Sequence, residues 1–169
     1  VIVIIEIVKT DDGDCLCRIQ QFHDKVGADE ACRACDEDYF TLLLRRFMMR
    51  LAQRCAEEFK CSALVTGESI GQVASQTMDA LCVTDSVVSM PVFRPCIGLD
   101  KEEIVEISRK INTYETSVLP YEDCCTVFTP RHPRTRPEMA KVIAQEERID
   151  VEELLERAYE TMYTYRREE

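Results

Sequence analysis

The apolar positions change period several times along the chain, and each change marks an element. Residues 1–8 (VIVIIEIV) are a short, β-branched-rich run that predicts a buried strand. Thr10 to Asp14 (TDDGD) is a turn signal, and residues 15–38 are polar, hold two cysteine pairs and keep no period. From Tyr39 to Phe59, apolar residues recur at steps of three and four (Phe40, Leu43, Leu44, Phe47, Leu51, Cys55, Phe59), which predicts a long helix. Its opposite face carries Arg46, Arg50, Arg54 and Glu57. Ser62 to Thr66 reads as a buried strand, followed by Gly67-Glu68-Ser69 and a helix expected from Ile70 to Leu81, with Ser69 and Gln72 as its capping box.

Val87 to Met90 predicts the next strand, with Pro91 and Pro95 bracketing an extended link. Asp100 and Glu103 form a second capping box and open a helix whose inner face is expected to be Ile104, Ile107 and Ile111. Thr116 to Leu119 reads as a strand end, and the proline-rich residues 120–137 as a loop. Glu138 to Glu147 reads as a helix. Asp150 and Glu153 cap a last one, with Leu154, Leu155, Ala158 and Met162 inward. Strand and helix alternate, so the class is α/β with a mostly parallel sheet. Ligands of such sheets sit outside the carboxyl ends of the strands, where Gly67–Gln76 and Pro120–Phe128 would lie.

Composition narrows the function classes. At 169 residues with 46% hydrophobic and 31% charged residues, the chain can build one core of ordinary domain size. No apolar run approaches the ~18 residues of a membrane span, and no membrane partner is expected. A net charge of −11 argues against broad electrostatic attraction to nucleic acid or anionic lipid. Ten cysteines are fewer than a disulfide scaffold of this length would show, so a reducing, cytoplasmic setting with available thiols is expected.

Two segments carry candidate chemistry. Gly67 after a strand would let a ligand approach the backbone, the next helix start would offer free amides, and Glu68, Ser69 and Gln76 add hydrogen-bonding side chains. A plain strand-to-helix turn needing only a glycine and a cap is the simpler account of the same residues. In Glu122-Asp123-Cys124-Cys125, the nearby Arg131, His132, Arg134 and Arg136 would favour a thiolate, while the two acids disfavour one. Reactive and buried structural thiols are evenly matched there. Cys15-Leu-Cys17 with Cys32-Arg-Ala-Cys35 lacks two well-formed zinc knuckles, and no metal site is expected. Arg45 and Arg46 point about 100° apart on the helix; two solvated side chains are the cheaper expectation, with a reach toward the sheet edge the alternative.

Taken in order, LLRRFMMRLA (43–52), ALVTGESIGQVASQT (63–77), RPCIGLDKEEIVEISRKINTYE (94–115) and LPYEDCCTVFTPRHPRT (119–135) resemble the nucleotide-binding domain of the tRNA 4-thiouridine synthetase family, also called the ThiI sulfurtransferase of thiamine biosynthesis. The resemblance implies a Rossmann-like, adenine-nucleotide-hydrolase-like α/β fold. Residues 39–169 would be the C-terminal part of a PP-loop ATP-pyrophosphatase-like domain, and residues 1–38 a poorly matched strand and irregular loop. It implies that ATP, with Mg, adenylates the C4 oxygen of a tRNA uridine and that persulfide sulfur then displaces AMP to give 4-thiouridine. It further implies sulfur transfer for the thiamine thiazole, a cysteine desulfurase as persulfide donor, a sulfur-carrier protein and a homodimer. Arg45, Gly67 and Gln76 correspond to ATP contacts, with Glu68 and Ser69 beside them, and Cys124 to the acceptor cysteine that pairs with the persulfide cysteine.

The family's Ser-Gly-Gly-x-Asp-Ser phosphate loop has no counterpart here, since the five glycines include no adjacent pair. The first βα unit is therefore expected to be missing, the family's N-terminal RNA-binding modules are expected to be missing as well, and the isolated chain is expected to be inactive. The alternatives are a degenerate relative that binds a nucleotide or partner without catalysis, and a cysteine-rich sulfur- or metal-handling protein.

Overall fold

The computed structural model describes residues 36–73, 75–120 and 134–160. The expected N-terminal strand, the four cysteines before residue 36, Cys124 with Cys125, His132 and Met162 lie outside the described residues. A short 3-10 turn (Glu37–Tyr39) leads into α1 (Phe40–Glu58). Then come β1 (Leu64–Val65), α2 (Met78–Asp85), β2 (Val92–Phe93), α3 (Lys101–Lys110), α4 (Tyr114–Ser117), α5 (Met139–Glu146) and α6 (Val151–Glu160). β1 and β2 pair in parallel, Leu64 opposite Val92 and Val65 opposite Phe93. The architecture is α/β, as the alternation of elements predicts.

α1 is the central element and packs against α2, α5, α6 and β1. Its end matches the expected one and has a clear cause. Lys60 takes a left-handed conformation at φ 56°. The Cys61 amide then donates to the Ala56 carbonyl and the Lys60 amide to that of Glu57, which satisfies two carbonyls the helix would leave open. One core cluster gathers Met49, Ala52, Cys55 and Ala56 of α1 with Cys61 and Leu64, flanked by Val87, Val88, Met90, Val92 and Tyr159. The other joins Tyr39, Phe40, Leu42 and Leu43 to Ala80 and Val83 of α2 and Val142 of α5.

Several local expectations are corrected. Arg46, expected to be solvated, and the arginine face it belongs to meet α5 and α6 instead. Arg46 is buried, with Nη2 2.8 Å and Nε 3.1 Å from the Glu146 carboxylate. Its Nη1 donates to the Val83 carbonyl at 2.6 Å and to Ser86 Oγ at 2.7 Å. One helical turn on, Arg50 holds the same carboxylate in a fork, and another turn on, Arg54 pairs with Glu156 of α6 and lies over the Tyr159 ring. Steps of four place the three guanidinium groups in one row, and an acidic partner on each packed helix allows that row to be covered.

The helix expected from Ile70 begins at Met78. Gly71 has φ +79°, which breaks a right-handed helix, and Ser69 Oγ donates to the Leu99 carbonyl at 2.6 Å instead of capping. Thr77 is the actual cap, its hydroxyl accepting from the Ala80 amide. The strand expected at 87–90 is an irregular core segment; the paired residues are Val92 and Phe93, inside the proline-bracketed link. Pro91 fits because its carbonyl, not the amide it lacks, serves the ladder, accepting from Leu64. Residues 114–117 are helical rather than extended.

α3 has its expected reciprocal cap, with the Glu103 amide on Asp100 and the Asp100 amide on Glu103. Its isoleucine face, however, is not buried: Ile107 and Ile111 are exposed. α5 and α6 stand where expected, and Asp150 accepts from the Glu153 amide at the start of α6.

Candidate functional site at the carboxyl edge of the sheet

Both parallel strands run out at the same edge, and the loops that follow them lie against each other. The Thr66 amide donates to the Phe93 carbonyl, extending the ladder beyond β1. The Ile70 amide donates to the Ile97 carbonyl at 3.0 Å, and Ser69 Oγ reaches Leu99. The loop 67–76 after β1 is thus backed by the loop 94–99 after β2.

Glu68 is the buried centre of this edge. Its carboxylate receives Arg45 from α1 on Oε1, Arg94 Nε on Oε2 at 2.6 Å, and the Thr66 hydroxyl on Oε2 at 2.9 Å. Arg94 uses its other branch on Asp85 at the end of α2, Nη2 to Oδ1 at 2.5 Å. Burying a carboxylate is tolerable only with such partners. Four charges from α1, α2 and both post-strand loops therefore interlock and sum formally to zero.

The expected site residues fall around this network. Arg45 is not a solvated side chain; it reaches the sheet edge through Glu68. Gly67 is exposed, and a Cβ added there would meet nothing within 4 Å among the described residues. No positive φ demands glycine at that position; the open flank suits both an ordinary turn and a ligand approaching the backbone. Gln76 closes the loop: its carbonyl accepts from the Gly71 amide at 3.1 Å, and its Oε1 is buried with no hydrogen-bond partner among the described residues. A buried acceptor of that kind fits a ligand donor such as an amino group. Arg45, Gly67 and Gln76 are therefore brought to one edge by Glu68 and Gly71, while Cys124 lies outside the described residues.

The return of the chain is tied to the same loop. The Thr77 hydroxyl donates to the Thr135 carbonyl at 2.7 Å, and Arg134 pairs with Asp38. Among the described residues, no group of three or more His, Cys, Asp or Glu is gathered as for a metal ion, so no side chain is assigned to Mg. Sequence reasoning missed Arg94 and Asp85. Their only signal was Arg94 at the head of a matched segment, and a partner 26 residues away leaves no trace in local spacing.

Behind the site, Glu146 anchors the helix layer. Burial pushes its carboxyl pKa up, but hydrogen bonds from Arg50 and Arg46 and their positive charge outweigh burial and hold it at about 2.

An edge beyond the carboxyl ends of parallel strands is where open α/β sheets take their ligands. A family model described as thiamine biosynthesis protein (ThiI) matches residues 2–151, and the chain belongs to that family. A probable tRNA sulfurtransferase of Alkaliphilus oremlandii is 56% identical over 128 residues, 76% of this chain and 33% of that protein. One from Clostridium perfringens is 53% identical over 131 residues, 78% of this chain and 34% of that protein. A solved structure, a 4-thiouridine synthetase–RNA complex with bound ATP, is similar with a TM-score of 0.75 and 39% identity, over 82% of this chain and 36% of that one. The fold is accordingly the Rossmann-like α/β fold of that family. The chain spans about a third of the length of the curated relatives it matches. Among the described residues, no helix is long and apolar enough to cross a membrane.

Proposed function

We propose that this chain is the nucleotide-binding part of an ATP-dependent tRNA uracil 4-sulfurtransferase. ATP supplies the adenylyl group that turns the C4 oxygen of a uridine into a leaving group, and a persulfide supplies the sulfur that replaces it. In this reading residues 39–169 form the C-terminal part of the PP-loop domain. Gly67 lets the nucleotide approach the backbone, Arg45 offers positive charge to its phosphates, and Gln76 Oε1 accepts a hydrogen bond from its base. Cys124 is the acceptor that pairs with the persulfide cysteine once sulfur has moved. The loop sits where the sheet's helix starts and strand ends favour anions.

The observation that carries the reading is the buried Gln76 Oε1, without a hydrogen-bond partner among the described residues, in the same loop as an open Gly67 and the Arg45-bound Glu68. The relatives named as tRNA sulfurtransferases, and the RNA-bound synthetase holding ATP, support the substrate class. With a net charge of −11 these residues are poor at gripping RNA, so the tRNA is held by other parts of the protein. A cysteine desulfurase as persulfide donor, a sulfur carrier for the thiamine branch, a homodimer and a cytoplasmic setting complete the proposal. The 169 residues alone are expected not to synthesise 4-thiouridine, because they contain no paired-glycine phosphate loop.

The test uses the complete protein carrying this chain, with unmodified tRNA, ATP and a persulfide donor. The expected product is 4-thiouridine, read by its absorbance near-ultraviolet band. Cys124→Ser is expected to abolish product while leaving ATP binding unchanged. Absence of thiolation in the wild type overturns the proposal, and full thiolation by the serine variant removes Cys124 from it.

A further inference from the structure

The geometry points to Arg94 as a positioning residue for nucleotide binding, one that keeps Arg45 available to the ligand by holding the other half of Glu68. This rests on the nucleotide reading above. Glu68 is shared between two arginines, Oε1 with Arg45 and Oε2 with Arg94. Arg94 is itself largely buried and fixed at its other branch by Asp85 of α2, so its hold on Oε2 does not depend on the loop 67–76 alone. A lone arginine beside a carboxylate tends to take both oxygens in a fork. Without Arg94, Glu68 Oε2 keeps, among the described residues, the Thr66 hydroxyl. The Arg45 guanidinium is then drawn across the whole carboxylate and away from an anionic ligand at Gly67. The local charge moves the same way: the four groups sum to zero with Arg94 and to −1 without it, which opposes a triphosphate.

This role makes a distinctive demand. Arg94 never needs to touch the nucleotide, so its effect must pass through Arg45. A merely structural arginine would weaken binding equally whether or not Arg45 is present.

The experiment is a double-mutant cycle on ATP affinity in the complete protein, by calorimetry, using Arg94→Met, Arg45→Ala and the pair. Arg94→Met is expected to weaken ATP about tenfold in the wild-type background and less than about twofold once Arg45 is alanine. Arg94→Lys, which keeps a cation for Glu68 but cannot fork between Glu68 and Asp85, is expected to recover to within about threefold of wild type. If Arg94→Met does not fold, the same cycle is run with Arg94→Gln, which is expected to weaken ATP about tenfold when Arg45 is present and less than about twofold when it is alanine. Equal losses in both backgrounds, or no loss in the wild-type background, overturn the inference alone. A wild-type protein that binds no ATP overturns both the inference and the nucleotide reading.

Discussion

Arg46 Nη2 and Glu146 Oε2 stand 2.8 Å apart, although 100 residues of chain separate them. The pair fixes α5 onto α1 from inside the helix layer. The same guanidinium also holds the end of α2 through the Val83 carbonyl and Ser86, so one side chain ties three helices behind the candidate site.

Removing that side chain should cost stability rather than binding chemistry directly. Arg46→Met is expected to lose about 3 kcal/mol, because it removes the charged donor from the Val83 carbonyl, which keeps Ser86 Oγ, and leaves the half-buried Glu146 carboxylate to Arg50. Urea denaturation of the wild type and variant measures this; a loss under about 1 kcal/mol would show that the pair contributes little.

The depressed Glu146 pKa gives stability a pH dependence of defined sign. Its pKa falls from 4.5 when unfolded to about 2 when folded. The unfolded state therefore binds the proton first, and the contribution is fully present above about pH 4.5 and lost as pH falls toward 2. Stability measured from pH 6 to pH 3 should fall more steeply in the wild type than in Glu146→Gln, and parallel curves would contradict this.

Lys60 holds a left-handed backbone that a side chain disfavours. Lys60→Gly is expected to stabilise the protein by about 1 kcal/mol, since the two C-cap hydrogen bonds need only backbone atoms. A thermal melt reads the gain, and a lower midpoint would place a stabilising role on the lysine stem.

Gly67 separates a turn from a ligand site. Gly67→Ala meets no atom within 4 Å, so its stability should stay within about 0.5 kcal/mol of wild type. ATP affinity in the complete protein is nevertheless expected to drop at least about tenfold, as the new methyl occupies the flank where the nucleotide approaches. Unchanged affinity would return this segment to the status of an ordinary turn.

Gln76→Ala tests the waiting acceptor. It removes a buried oxygen without a partner among the described residues, so the unliganded fold should be unharmed while ATP binding weakens by about 1–2 kcal/mol. Equal binding by calorimetry would mean that Oε1 faces no ligand donor.

What could be read from the chain alone was local. The extent and end of α1, the reciprocal cap at Asp100, the Asp150 cap, α5 and the parallel α/β class all rest on periodicity or on contacts within a few residues. So did the grouping of Gly67 with Gln76, which share one loop. Tertiary structure decided the rest, because it depends on partners far along the chain. A row of arginines four apart looks solvated until Glu146 and Glu156 arrive from other helices. A capping serine looks free until Leu99 claims its hydroxyl. The isoleucine face of α3 predicts burial, yet no described element covers it. Above all, the division of Glu68 between Arg45 and Arg94 follows from packing α1, α2 and two post-strand loops at one edge, and burial then obliges those charges to find each other.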